Sequence, residues 1–211
     1  MGTKDLAAAL VQRHGKTYCE QAGIRLKDTP SPLYQLLVLS TLLSARISAD
    51  VAVSAARQLF RAGMRTPRAM ADASWQQRVD ALGRGHYRRY DERTSTMLGR
   101  GAELVEHRWK GDVRRLHTEG GDAEGIRRLL KRVPGIGDVG AHIFCREAQA
   151  VWPDLRPYVD ERTAKGATRL GLPAAADTLT ALVPSEQLPA LIAGCVRASL
   201  SVDVVRDVKG E

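Results

Sequence analysis

The segment SPLYQLLVLSTLLSA, residues 31–45, carries apolar side chains almost all the way round a helix, with Leu36, Leu37, Leu39, Leu42 and Leu43 leaving little polar face. A helix of that kind is stable only when other elements surround it, so the pattern predicts a central helix from about Leu33 to Ser44. Elsewhere apolar residues recur at three- and four-residue spacing, and alternating β-branched runs are almost absent. The chain therefore reads as all-α. At 211 residues and 44% hydrophobic composition, it is long enough to bury a core of its own.

Turn signals divide the remainder. Leu6, Ala9, Leu10 and Arg13 mark a first helix, and the polar linker GIRLKDTPSP ends in Pro30 and Pro32, which start the central one. Asp50 to Phe60 gives an amphipathic helix, and Thr66-Pro67 opens another by setting proline in a first turn after an N-cap. Short helices follow. LGRGHYRRYDER, residues 82–93, gathers two glycines, four arginines and two tyrosines and reads as an exposed loop entering a helix. Gly120-Gly121-Asp122 marks a break before a helix ending in Leu129 and Leu130, and a further helix starts near Asp138. There is no internal repeat and no low-complexity region.

Lys plus Arg outnumber Asp plus Glu by 32 to 24, for a formal charge of +8 and a pI near 9.7; 25 of the 32 cations are arginine. An excess of this kind favours a polyanionic partner, although arginine-rich composition alone also arises from genome bias. The cations are spread along the chain, with no basic tail. Cys19, Cys145 and Cys195 lie far apart, in an odd number without CxxC spacing, so neither a disulfide framework nor a zinc site is indicated and a reduced cytoplasm is expected. No stretch reaches the roughly 18 to 20 apolar residues needed to span a bilayer, and the N-terminus lacks a signal-peptide core.

The densest motif is LKRVPGIGDVGAHIF, residues 129–143. A Gly-Ile-Gly turn between two helices exposes backbone N–H groups, and the second helix adds its positive N-terminal end, which together suit a phosphate. Pro134 stiffens the approach, the glycines permit positive φ and close backbone contact, and Ile136 plugs the space between the helices. On spacing alone, an ordinary corner between two helices stays equally open.

In its ordered company the motif resembles the helix-hairpin-helix of the endonuclease III superfamily of DNA base-excision glycosylases. SPLYQLLVLSTLLSAR resembles an early family helix, P-[FY]-x-L-L-[IV]-x-x-[IL]-L-S-x-Q. LGRGHYRRY resembles the I-G-x-x-x-x-K loop, and RPYVDERTAKGATRLGL the V-D-[TG]-[HN]-[VI]-x-R-[VL] segment. The resemblance spans residues 26 to about 172. It implies a two-lobed helical glycosylase fold, with a central lobe over 26–150 that ends in the hairpin. Residues 1–25 and 151–211 would form the second lobe, with the family's aspartate, here Asp160, at the cleft.

Glycosidic cleavage passes through an oxocarbenium-like sugar, so a carboxylate stabilises developing positive charge or deprotonates the attacking water. The resemblance gives that role to Asp160; simple capping of the following helix is the alternative, and the two are compatible. Glu161 departs from the family's small or hydroxyl residue and puts the loop's usual shape in question. Bifunctional members carry a lysine two residues after the last hairpin glycine; here Val139 stands there, which cannot form a Schiff base. The expected enzyme is therefore a monofunctional glycosylase using water, with a lyase through a displaced Lys131 or Lys165, or a non-catalytic binder of distorted DNA, as alternatives.

Base flipping requires a residue to fill the vacated stack. The resemblance places Arg46 and His86 there, His86 with Tyr87, while Arg84, Arg88 and Arg89 would reach phosphates. Val133, Gly135, Ile136, Gly137, Val139 and Gly140 form the expected hairpin contact, whose carbonyls would also hold a monovalent cation. Many relatives carry a four-cysteine iron–sulfur cluster, which three cysteines cannot build, so no such cofactor is expected. The expected partner is double-stranded DNA with a lesion or mismatch, bound by a monomer. No side-chain pattern selects the damaged base.

Overall fold

The computed structural model describes residues 2–211. In chain order its α-helices are α1 (Thr3–His14), α2 (Tyr18–Ala22), α3 (Pro30–Leu43), α4 (Ala49–Arg61), α5 (Pro67–Asp72), α6 (Trp75–Arg84) and α7 (Asp91–Trp109). They continue as α8 (Val113–Gly120), α9 (Ala123–Leu130), α10 (Asp138–Ala148), α11 (Glu161–Leu170), α12 (Ala176–Thr180), α13 (Leu188–Leu200) and α14 (Val202–Lys209). Two single 3₁₀ turns, Pro153–Leu155 and Ser185–Gln187, complete the set. No strand occurs among the described residues, so the protein is all-α.

Two compact units emerge. The larger is Cys19–Val151; the smaller joins the segment through Tyr18 to Trp152–Glu211. The first crossing falls between Tyr18 and Cys19 because the rest of α2 is tied into the larger unit. The Cys19 amide donates to Glu147 of α10 at 3.0 Å, and Arg57 of α4 donates to the Gln21 carbonyl.

In the larger unit α3 is the hub. It packs on α4, α8 and α10, and Leu33, Tyr34, Leu36, Leu37, Val38, Leu39 and Leu42 are all buried. The helix begins at Pro30, earlier than apolar spacing suggests, since proline fits a first turn and Thr29 precedes it in extended backbone. Ser40 and Thr41 are buried too; their hydroxyls donate to the carbonyls of Leu36 and Leu37, which satisfies them without a tertiary partner. Arg78 is buried and donates to the carbonyls of Met70, Ala73 and Ser95, joining α5, α6 and α7. Burial depresses its pKa, and those three carbonyls take the place of a carboxylate.

The smaller unit has its own core of Leu10, Ala167, Leu170, Leu179, Leu191, Ile192 and Cys195, among others. α11 and α13 touch backbone to backbone: a Cβ on Gly166 would lie 1.7 Å from the Cys195 carbonyl oxygen. A Cβ on Gly194 would meet the Leu10 side chain at 2.6 Å, so α1 packs a side chain directly onto the α13 backbone. Arg197 donates to the carbonyls of His14 and Lys16 and stacks over Tyr18, closing the chain's early segment onto α13.

Candidate nucleic-acid interface and catalytic aspartate

The turn between α9 and α10 is built on two glycines with different reasons to be glycine. Gly135 has φ +88, and a Cβ there would meet Thr41 Cγ2 at 2.9 Å and Met97 Sδ at 3.3 Å, so both backbone and packing exclude a side chain. Gly137 has φ −99, and a Cβ there would meet nothing within 4 Å. It is the N-cap of α10 and supplies no capping side chain, so the first-turn amides of α10 are left for an outside acceptor. Val133 and Ile136 are buried, as a plug requires, and Ser44 at the end of α3 donates to the Thr41 carbonyl at 2.7 Å with a longer contact, 3.3 Å, to the Gly135 carbonyl. Gly140 brings α10 against α3, where a Cβ would stand 3.4 Å from Ser44 Cβ.

Val139 is 52% exposed on the first turn of α10. Beside it, Lys131 Nζ bonds Asp138 Oδ1 at 2.7 Å, and this contact holds the Asp138 carboxyl below the usual carboxylate range. The Lys131 amine is thus engaged by an acid. Of the hairpin carbonyls, Val133 O accepts from the Ile136 amide at 3.0 Å and Gly135 O takes the longer Ser44 contact, and each keeps a second lone pair, the kind of donor a monovalent cation would use. A four-thiolate cluster does not fit the chain, because its three cysteines are each buried and Cys19 and Cys145 belong to the larger unit, Cys195 to the smaller.

The loop expected over 82–93 is shorter, residues 85–90, because α6 runs on to Arg84 and α7 starts at Asp91. Gly85 rests on α4, where a Cβ would lie 2.3 Å from Ala55 Cα. His86 follows with φ +65, left-handed for a residue with a side chain, and stands exposed. Tyr87 then turns inward: it is 1% exposed, and its hydroxyl shares a hydrogen bond with Thr94 at 3.2 Å. Stacking on a base, expected for Tyr87, is not open to a buried ring; burial also pushes its pKa up. Its place is to anchor the loop that presents His86.

Arg88 and Arg89 are exposed, with Arg89 over the Tyr90 ring, whereas Arg84 lines a separate hollow with Asp72 and Asp80. Asp72 is already paired with Arg68 at 2.8 Å, and Arg84 itself is exposed. Arg46 is exposed in the turn just after α3, two residues beyond Ser44 and its bond to the hairpin.

Asp160 is half-buried and is the N-cap of α11. Its Oδ1 accepts from the Thr163 amide at 3.1 Å and from the Thr163 hydroxyl at 2.7 Å. Two bonds to one oxygen fix the carboxylate's orientation on the helix. Glu161 takes the first helical position and is exposed, where an acid suits the helix dipole and leaves the cap intact. Thr163, Ser44 and Gly85 do not stand out in the sequence. The D-x-x-T spacing was the available signal for Thr163, while Ser44 and Gly85 act through contacts far along the chain.

No protein-family model matches the chain, and no curated protein matches it. Solved structures do, among them two endonuclease III–DNA complexes. One is a trapped endonuclease III–DNA covalent intermediate in an estranged-adenine complex, with 15% identity, TM-score 0.51, and coverage of 93% of this chain and 85% of that one. The other is a non-covalent endonuclease III–DNA complex, with 17% identity, TM-score 0.54, and coverage of 90% and 80%. At these identities the likeness is one of fold: the chain has the all-α fold of endonuclease III.

Proposed function

We propose that this protein is a monofunctional DNA glycosylase of base excision repair, working as a cytoplasmic monomer on double-stranded DNA that carries a damaged or mispaired base. The hairpin amides and any cation on its carbonyls hold a phosphate, Arg88 contacts the backbone nearby, and Arg46 and His86 fill the space left by the flipped nucleotide. The bond from C1′ to the base nitrogen breaks, the electron pair leaves with the base, and water adds its oxygen to C1′. Asp160 stabilises the cationic sugar and accepts the water's proton.

The observation that carries this reading is the Asp160 carboxylate, oriented by Thr163 at the start of α11 in a fold shared with endonuclease III. The position expected of a lyase amine is occupied by Val139, and Lys131 is paired with Asp138, which supports water over an amine as nucleophile.

The test is a panel of duplexes bearing alkylated purines, oxidised pyrimidines, uracil or thymine mismatches and bulkier adducts, treated with alkali to reveal abasic sites. At least one duplex is expected to lose its base, and borohydride is expected to trap no adduct on abasic DNA. A trapped adduct would replace this reading with a lyase. Tight binding with no product across the panel would leave a non-catalytic DNA-binding protein.

A further inference from the structure

The larger unit holds a second concentration of positive charge, away from the hairpin. Arg25, Arg57, Arg61 and Arg65 line one pocket of about 380 Å³, over an apolar base that includes Pro32 and Phe60. No carboxylate lines it. Some other exposed arginines of this chain sit on acids, as in Arg68–Asp72, Arg108–Glu119 and Arg114–Asp112. None of these four does among the described residues. Four guanidiniums held around one hollow repel one another, and an anion in the hollow would relieve that repulsion.

The walls are also fixed in place. Arg57 donates to the Gln21 carbonyl, and Arg65 Nε donates to the Phe60 carbonyl at 2.8 Å. The Arg65 carbonyl in turn accepts from the Ser31 hydroxyl at 3.0 Å, which binds the α4–α5 connection to the first turn of α3. Arg57 and Arg65 are therefore oriented by backbone, while Arg25 and Arg61 are free to close on a ligand. Pro32 and Gln35 lie about 13 to 18 Å along α3 from Ser44, the residue that meets the hairpin. The pocket thus belongs to the opposite end of α3 from the hairpin.

We propose that this pocket is an anion site for a compact oligophosphate, such as the di- or triphosphate of a nucleotide or a short inorganic polyphosphate, separate from the surface that grips DNA. The volume is that of a small-ligand pocket, and guanidinium forks pair two N–H groups with two phosphate oxygens at once. Adjacent phosphates of one chain match several arginines in one hollow better than a single orthophosphate does.

The experiment is calorimetric titration of the full chain with sodium tripolyphosphate at low salt, repeated with orthophosphate, with ATP, and on the Arg25→Gln/Arg61→Gln double variant. These two side chains are exposed and hold no tertiary bond, so thermal unfolding should leave the variant's fold unchanged. Tripolyphosphate is expected to bind with a Kd below about 1 mM, orthophosphate more weakly, and the variant at least about tenfold more weakly. ATP binding alongside tripolyphosphate would point to a nucleotide, and tripolyphosphate alone to inorganic polyphosphate. A short duplex is expected neither to compete nor to bind the variant with a changed salt slope. Absent binding, equal binding by the variant, or competition by the duplex would each overturn the proposal, the last by assigning the arginines to the DNA path. None of these outcomes bears on base release.

Discussion

Helices α10 and α11 both begin with backbone amides that no turn of their own helix can satisfy, and they meet that need in opposite ways. α11 is capped from within, by Asp160, whose Oδ1 takes two bonds from Thr163. α10 is preceded by Gly137, which has no side chain to offer and open space before it. An internally capped start fixes a carboxylate in one orientation; an uncapped start keeps donors for an anion from outside. The first arrangement suits chemistry and the second suits grip.

The comparison can be broken most severely at the support of α11. Gly166→Ala would drive a methyl group into the Cys195 carbonyl, and no side chain can move aside to admit it. A loss of more than about 3 kcal/mol is expected in denaturant unfolding of the smaller unit. A well-folded variant would mean that α11 is not clamped and that the Asp160 cap alone positions the acid.

The two hairpin glycines sharpen the other half. Gly135→Ala forces a side chain into positive φ and against Thr41, and should cost about 1 to 3 kcal/mol in stability. Gly137→Ala should leave the melting temperature almost unchanged but weaken duplex binding about tenfold, because its methyl group stands where a phosphate would approach. If Gly137→Ala destabilised the fold and spared binding, the open start of α10 would be a structural corner.

The smallest effect concerns pH. Burial pushes the Cys195 thiol from 9.0 up to about 12. The folded state therefore holds this proton more tightly than the unfolded chain, and its contribution is full below 9.0 and lost as pH rises from there towards about 12. Melting temperatures taken between about pH 8 and about pH 10.5 should fall more steeply for the wild type than for Cys195→Ala. Tyr34, also raised by burial, acts equally in both. Parallel curves would show that the α11–α13 contact admits water.

Much of this was legible in the sequence, for identifiable reasons. The encircling leucines of α3 can be satisfied only at the centre of a helical unit, and the Thr66-Pro67 and Asp122 starts are local side-chain-to-amide bonds, visible from spacing alone. Gly135 was legible because positive φ is a local demand. Tyr87 was not, because whether a loop aromatic turns inward depends on Thr94, a residue of the next helix. The arginine pocket draws on segments up to forty residues apart, so composition showed its charge without its location.

The central claim rests on Asp160 acting chemically as well as capping. Asn caps a helix about as well as Asp, so Asp160→Asn separates the two roles. On whichever lesion duplex the panel identifies, single-turnover base release should be compared between wild type and Asp160→Asn at equal DNA occupancy. The account predicts unchanged melting temperature and binding with release slowed about a hundredfold or more. Release at the wild-type rate would contradict it and reduce Asp160 to a helix cap.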